Sequence, residues 1–206
     1  SLISLNSNAE RFALLGSAYK RLAIILLQED SKAWDKVEAA LKHSLEAYKC
    51  GEARELGARL KAYPLINRLQ LTAILQGFIQ QVEDENYLEL LDQAHNIVSL
   101  QFAESNEFFD TVMSADIDIA RFLLDQDKAN VDSKTATEFV QLYKEVTQEI
   151  PSTLRVFNSV VQQLKNLAQL LKAAGQQLQA SNLDLAALCD TKANILSKIA
   201  DGLEKL

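Results

Sequence analysis

The sequence predicts an entirely α-helical fold built from antiparallel helical hairpins, and three observations carry that prediction. Turn formers are scarce: 206 residues hold six Gly and two Pro, whereas an all-β fold needs turn residues about every 8–12 positions. The long stretches between them are rich in Ala, Leu, Gln, Lys and Glu, which favour helix. Within those stretches apolar residues recur at steps of three and four, the spacing of one helical face.

About eight helices follow in order. The first runs roughly from Ala9 to Gln28, with Phe12, Leu15, Tyr19, Leu22 and Leu26 on its stripe. Glu29, Asp30 and Ser31 break it, and Ser31 is placed to cap a second helix carrying Trp34, Val37, Leu41, Leu45 and Tyr48. Gly51 stands where a helix C-terminus would stop. After a basic connector, Pro64 opens a third helix through Leu69, Ala73, Leu75 and Phe78. The acidic turn at residues 83–86 leads into a fourth helix with Leu88, Leu91, Ile97 and Leu100. Ser105 or Asn106 caps a fifth, whose buried side carries Phe108, Phe109, Val112, Met113, Ile119 and Leu123. Residues 125–133 are polar and read as a loop before a shorter helix with Ala136, Phe139, Val140 and Tyr143. Pro151 and Ser152 restart the chain into a long helix with a heptad-like seam of Phe157, Val161, Leu164, Ala168 and Leu171. Gly175 reads as a weak joint, and residues 181–184 resemble a capping box before the last helix. The later helices favour a bundle-like end, the earlier pairs stacking. A boundary near residue 104 lacks linker composition, so one continuous domain over 1–206 is expected, with halves 1–104 and 105–206.

Composition narrows the function classes. A net charge of −7 argues against general nucleic-acid binding, which needs clustered Lys and Arg. The charge is uneven: residues 1–68 carry 11 basic and 8 acidic side chains, and 69–206 carry 10 and 20. No apolar run approaches the ~20 residues that span a bilayer, and no signal peptide opens the chain, so a cytoplasmic protein is expected. The start SLISLNSN, without Met, suits a fragment of something longer. Cys50 and Cys189 lie far apart within helical patterns, which reads as buried free thiols.

Catalytic constellations find no support. Asp92 and His95 have the D-x-x-H spacing of a bridging-metal ligand, but a di-metal bundle needs a second copy and none exists, so no metal or cofactor is expected. Neither cysteine sits among glycines that would form an oxyanion hole. Phosphate-loop, G-x-S-x-G and H-E-x-x-H motifs are absent. Asp116 falls on or beside an apolar stripe and needs a partner; a helix N-terminus or a residue such as Arg68 would serve, making a polar latch, with a ligand site the alternative. Arg54, Arg59, Lys61 and Arg68 form the strongest basic cluster, read as a solvated connector or as a docking patch for an acidic protein segment.

The run from Glu10 to Ala23 resembles the opening helix of tetratricopeptide-like repeats. Phe12, Leu15, Gly16 and Tyr19 match that pattern's large, Leu-Gly and Tyr positions, and Ala40 and Ala47 match the small positions of its second helix. Ala40 arrives about a dozen residues late, and no regular period of about 34 residues continues. The chain is also similar, over roughly residues 9–172, to a helical region of bacterial multidomain proteins, some with a caspase-like CHAT protease or other effector domain. That similarity rests on Glu10–Ala23, on Tyr63-Pro64-Leu65-Ile66-Asn67, on Phe108-Phe109-Asp110 followed by Ala115-Asp116, and on residues 159–171. Phe109 stands where Trp is commoner.

The resemblance implies an irregular tetratricopeptide-like array ending in a bundle-like helix pair. It further implies a non-catalytic interaction or regulatory module that binds a protein partner or an adjacent effector domain, without nucleic acid or membrane. Protease activity does not transfer, because the residues of that catalytic domain are not in this chain. Two alternatives stay open: a small-ligand sensor with a pocket near Tyr63, Asn67 and Asp116, and a structural bundle that oligomerises through the heptad seam of residues 154–171 and the last helix.

Overall fold

A computed structural model describes residues 9–30, 32–53, 62–78, 86–105, 108–148 and 154–205. All regular structure among them is helical. The chain forms two compact units, Ser1–Ile97 and Val98–Leu206, with the division falling inside one helix. Ser31, the acids of residues 83–85, Asn106, Pro151 and Ser152 lie outside the described residues.

The first unit is built on an antiparallel pair, α1 (Ala9–Glu29) and α2 (Trp34–Ala53), with α3 (Ala62–Leu75) packed on α2. The turn between α1 and α2 is tight: Lys32 N donates to Asp30 Oδ1 at 2.9 Å and Ala33 N to Asp30 O at 3.0 Å. The face that α1 buries is not the expected stripe. Ala13, Gly16, Ala23 and Ile24 are buried, whereas Leu22 stands 42% exposed. Small residues win this face because α2 approaches closely. A Cβ on Gly16 would lie 2.8 Å from Tyr48 Cε1, and Ser44 Oγ donates to Gly16 O at 2.6 Å.

Gly51 does not stop α2; it is buried inside a helix that continues to Ala53. Cys50, expected to be buried, is exposed. In α3 every residue except Tyr63 is buried, and Pro64 occupies its first turn as expected. The helix α4 (Tyr87–Ser105) is capped by Asn86, whose Oδ1 accepts from Glu89 N at 3.3 Å. It buries Leu91, Ala94 and Val98, leaving Leu88 and Leu100 exposed.

The second unit contains α5 (Phe108–Leu124), α6 (Lys128–Ser133), α7 (Ala136–Gln148), α8 (Leu154–Leu178) and α9 (Leu183–Leu203). The helices α8 and α9 form a long hairpin, α9 also packs on α6 and α7, and α5 packs on α7. The stretch expected as a loop holds α6. Asp127 caps it by accepting from Ala129 N at 2.9 Å, and fully buried Val131 anchors it. A capping box opens α7, where Thr135 N donates to Glu138 Oε2 and Glu138 N to Thr135 Oγ1, at 3.0 and 3.4 Å.

Gly175 is no joint. The helix α8 runs through it to Leu178, and the missing side chain lets α9 approach, since a Cβ there would lie 3.1 Å from Cys189 Cβ and 3.2 Å from Ala186 O. Asn182 caps α9, accepting from Leu185 N at 3.1 Å. The heptad seam of α8 is buried at Val161, Leu164, Ala168 and Leu171.

Candidate functional site

The richest polar cluster among the described residues joins α1, α2 and α3 in the first unit. Ser17 and Lys20 lie three apart on α1; Tyr63 and Asn67 lie four apart on α3, so each pair shares a helix face. The two faces meet rung by rung. Ser17 Oγ lies 3.1 Å from Tyr63 Oη, and Lys20 Nζ donates to Asn67 Oδ1 at 2.5 Å. Asn67 is fixed from behind by its Nδ2, which donates to Tyr63 O at 2.9 Å. Beneath the rungs, Tyr48 of α2 reaches Ser17 at 3.1 Å, its ring 6.3 Å from that of Tyr63 and edge-on to it.

Hydrogen-bond capacity orients this network. Ser17 Oγ has one proton, which it donates to Ala13 O at 3.0 Å. Its two lone pairs then accept from the two phenols. Burial pushes the Tyr48 phenol far above its ordinary range, with Tyr63 adding to the rise and Arg21 opposing it. Tyr48 therefore stays a neutral donor at physiological pH. Ser17's partners are a carbonyl and two phenols, none of them a base that would take its proton. The exposed edge of the cluster suits recognition: a 43%-exposed phenol and a half-buried ammonium lie beside exposed Arg21, while Asn67, 2% exposed, anchors Lys20.

The residues singled out from sequence fare unevenly. Tyr63 and Asn67 come together as described. Asp116 sits on α5 in the second unit, where Tyr143 Oη donates to its Oδ1 at 2.6 Å. A phenol is thus one partner of that carboxylate. Burial, then Asp116, raises the Tyr143 hydroxyl well above its usual pKa, so it remains a donor. Arg54, Arg59 and Lys61 lie outside the described residues. Arg68 is 6% exposed and its Nε donates to Glu52 Oε1 at 2.7 Å, which makes it part of the packing between α2 and α3.

His43 is exposed and stacks near Tyr19, ring centroids 5.2 Å apart. Asp92 and His95 are exposed, and no group of three metal-ligating side chains occurs among the described residues. Ser17, Lys20 and Tyr48 escaped the sequence reading as site residues. Their only signal was membership of the Glu10–Ala23 motif and the α2 stripe, because their contacts with α3 span 46 and 47 positions.

A family model described as Tetratricopeptide Repeats-Sensor matches residues 1–72, which takes in α1, α2 and the α3 residues of the cluster. That stretch is a tetratricopeptide-like helical region, a class that is generally non-catalytic and generally mediates protein–protein interaction. No curated protein and no solved structure matches the chain. No helix among the described residues is long and apolar enough to cross a membrane.

Proposed function

We propose that this chain is a non-catalytic interaction and regulatory module of a bacterial signalling or defence protein, engaging a protein partner or an adjacent effector domain through its first unit. The observation that carries the reading is the α1–α3 cluster of Lys20, Tyr63 and Asn67, set on the tetratricopeptide-like region beside exposed Arg21. The similarity to effector-associated helical regions supports the regulatory context. Titrating the purified chain with proteins encoded beside it tests this. A specific complex weakened about tenfold by Tyr63→Ala is expected, a loss typical of an interfacial tyrosine; no complex with any neighbour sinks the reading.

A second reading, a small-ligand sensor, draws on the same cluster, because Ser17, Lys20, Tyr63 and Asn67 converge in hydrogen-bonding distance. The family model's sensor description fits it loosely. Asp116 lies in the second unit, where Tyr143 donates to it. A metabolite thermal-shift screen in which no compound raises Tm in the parent but not in Asn67→Ala would remove it. The oligomerising-bundle reading is weakened, because the α8 seam is already buried in packing with α9.

A further inference from the structure

The row of contacts between α1 and α3 ends on a mismatch. Ser17, Lys20 and Ile24 recur on α1 at steps of three and four, and Tyr63, Asn67 and Gln70 recur on α3 at steps of four and three. Each set follows one helical face, and the two advance along their helices by the same distance. The first two rungs pair polar groups, Ser17 with Tyr63 and Lys20 with Asn67. The register makes Ile24 and Gln70 the third. Both are buried, Gln70 to 1% exposure, and the Ile24 side chain is hydrocarbon that can neither donate nor accept. Accordingly, neither Oε1 nor Nε2 of Gln70 has a hydrogen-bond partner among the described residues. A carboxamide enclosed in this way is destabilised relative to one that reaches water, and an apolar side chain of similar length would not be.

Packing around the row is uneven. The helices approach closely between α1 and α2 and between α2 and α3, whereas long side chains bridge α1 to α3. Tyr48 of α2 pins the Ser17 end, since its hydroxyl reaches Ser17 and its ring meets that of Tyr63 edge-on. Arg68, paired with Glu52, ties α3 to α2 independently of α1.

We propose that the α1–α3 seam is a gate: hinged at Tyr63, it opens at Gln70 while α1 and α3 both stay packed on α2. Opening gives the Gln70 carboxamide water and parts Lys20 from Asn67. Closing restores that bond and the burial of Ile24. The use of the gate rests on the interaction reading above: the open form presents Lys20 and Asn67 to the partner, which thereby holds the seam open.

Thiol labelling of the full chain tests the gate without any partner. In a Cys50→Ser background, Ile24→Cys places a probe at the third rung, and Ile74→Cys places a second on the same α3 face, one turn beyond Gln70. Val37→Cys, at a fully buried position of α2, reports unfolding of the unit. Both seam probes are expected to react at least about tenfold faster than Val37→Cys, at a rate that low urea scarcely changes, as for a local opening. Gln70→Met, which keeps the length and removes the unpaired amide, should slow the seam probes about tenfold. Lys20→Met, which removes the second rung, should speed them. Seam probes that react no faster than Val37→Cys, or that share its urea dependence, overturn the proposal. So does a Gln70→Met variant that labels as fast as the parent or faster, which would show that the carboxamide is no weak point. If Ile24→Cys fails to fold by circular dichroism, Ile74→Cys decides. Absence of any natural partner would sink the interaction reading and leave the gate to stand or fall on the labelling.

Discussion

The α1–α2 and α8–α9 hairpins are both long antiparallel pairs, yet they spend their apolar residues differently. In α8–α9 the seam is consumed: Leu164, Leu167, Leu171, Leu196 and Ile199 are all buried. In α1 the buried residues include small ones, Ala13, Gly16 and Ala23, beside Ile24, and the large Leu14, Leu22 and Ile25 are left exposed. A hairpin that buries its large side chains is self-sufficient, whereas one that packs through small residues keeps large ones for another surface. The contrast leaves one pair with its large apolar side chains consumed and the other with several of them on the surface, and it breaks at specific positions.

The largest expected effect is Leu196→Ala in α9. Leu196 has no exposed surface, and emptying such a site costs about 2–5 kcal/mol. Chemical denaturation should register that loss in the transition of the second unit. Next comes Gly16→Ala. The added methyl would meet the Tyr48 ring at 2.8 Å, so the hairpin must part or the ring must move. Overpacking of this kind costs about 1–3 kcal/mol, against a helix-propensity gain of about 1. A net fall in Tm is expected; a rise would show that the α1–α2 contact is loose, and would erase the contrast.

How much of this was legible varies with range. The helices with several turns of periodicity were readable, and the all-α class followed. The short α6 was not, because six residues with one apolar anchor, Val131, carry no period. Gly51 and Gly175 were read as breaks from intrinsic propensity, but tertiary packing overrode it, most clearly where Gly175 admits α9. Tyr63 and Asn67 were legible only through the Tyr63–Asn67 motif of the resemblance, and α3 sets them four residues apart on one face. Their links to Ser17 and Lys20, like Arg68 to Glu52 and Asp116 to Tyr143, join different helices, and no local pattern encodes them. Arginine is usually a surface residue, so the burial of Arg68 ran against the prior.

The second unit has its own polar fastening, and it yields a pH prediction. Lys192 of α9 is 3% exposed and its Nζ donates to Leu123 O and Asp125 O, both at 2.6 Å, closing the C-terminal end of α5. Burial lowers its pKa to about 8, with Cys189 and Asp125 pulling the other way. Lys192→Met should cost about 1–3 kcal/mol by leaving those carbonyls unpaired. The sign with pH is opposite to that of a salt-bridged lysine. Between about 8 and the unfolded value of 10.5 the unfolded chain holds the proton and the folded chain does not, so this group's contribution rises with pH. The raised phenols of Tyr48 and Tyr143 act oppositely above their ordinary value of 10.0. The stability of the parent relative to Lys192→Met should therefore climb from pH 8 toward 10, measured by urea midpoints; a flat difference would contradict a depressed lysine.

The smallest expected effect is the most informative about α1. Leu22→Ser removes a large apolar side chain from a helix interior, which in α9 would be severe. At this exposed position it should move the unfolding free energy by about 1 kcal/mol or less, because the side chain keeps 42% of its surface in the folded state and has less buried area to lose than Leu196. Serine's lower helix propensity is part of that figure. A loss near that of Leu196→Ala would mean that Leu22 supports the hairpin, and the contrast between the two pairs would fail. A negligible loss leaves Leu14, Leu22 and Ile25 as apolar surface that folding does not require. Urea denaturation of Leu22→Ser beside Leu196→Ala in one buffer makes the comparison directly.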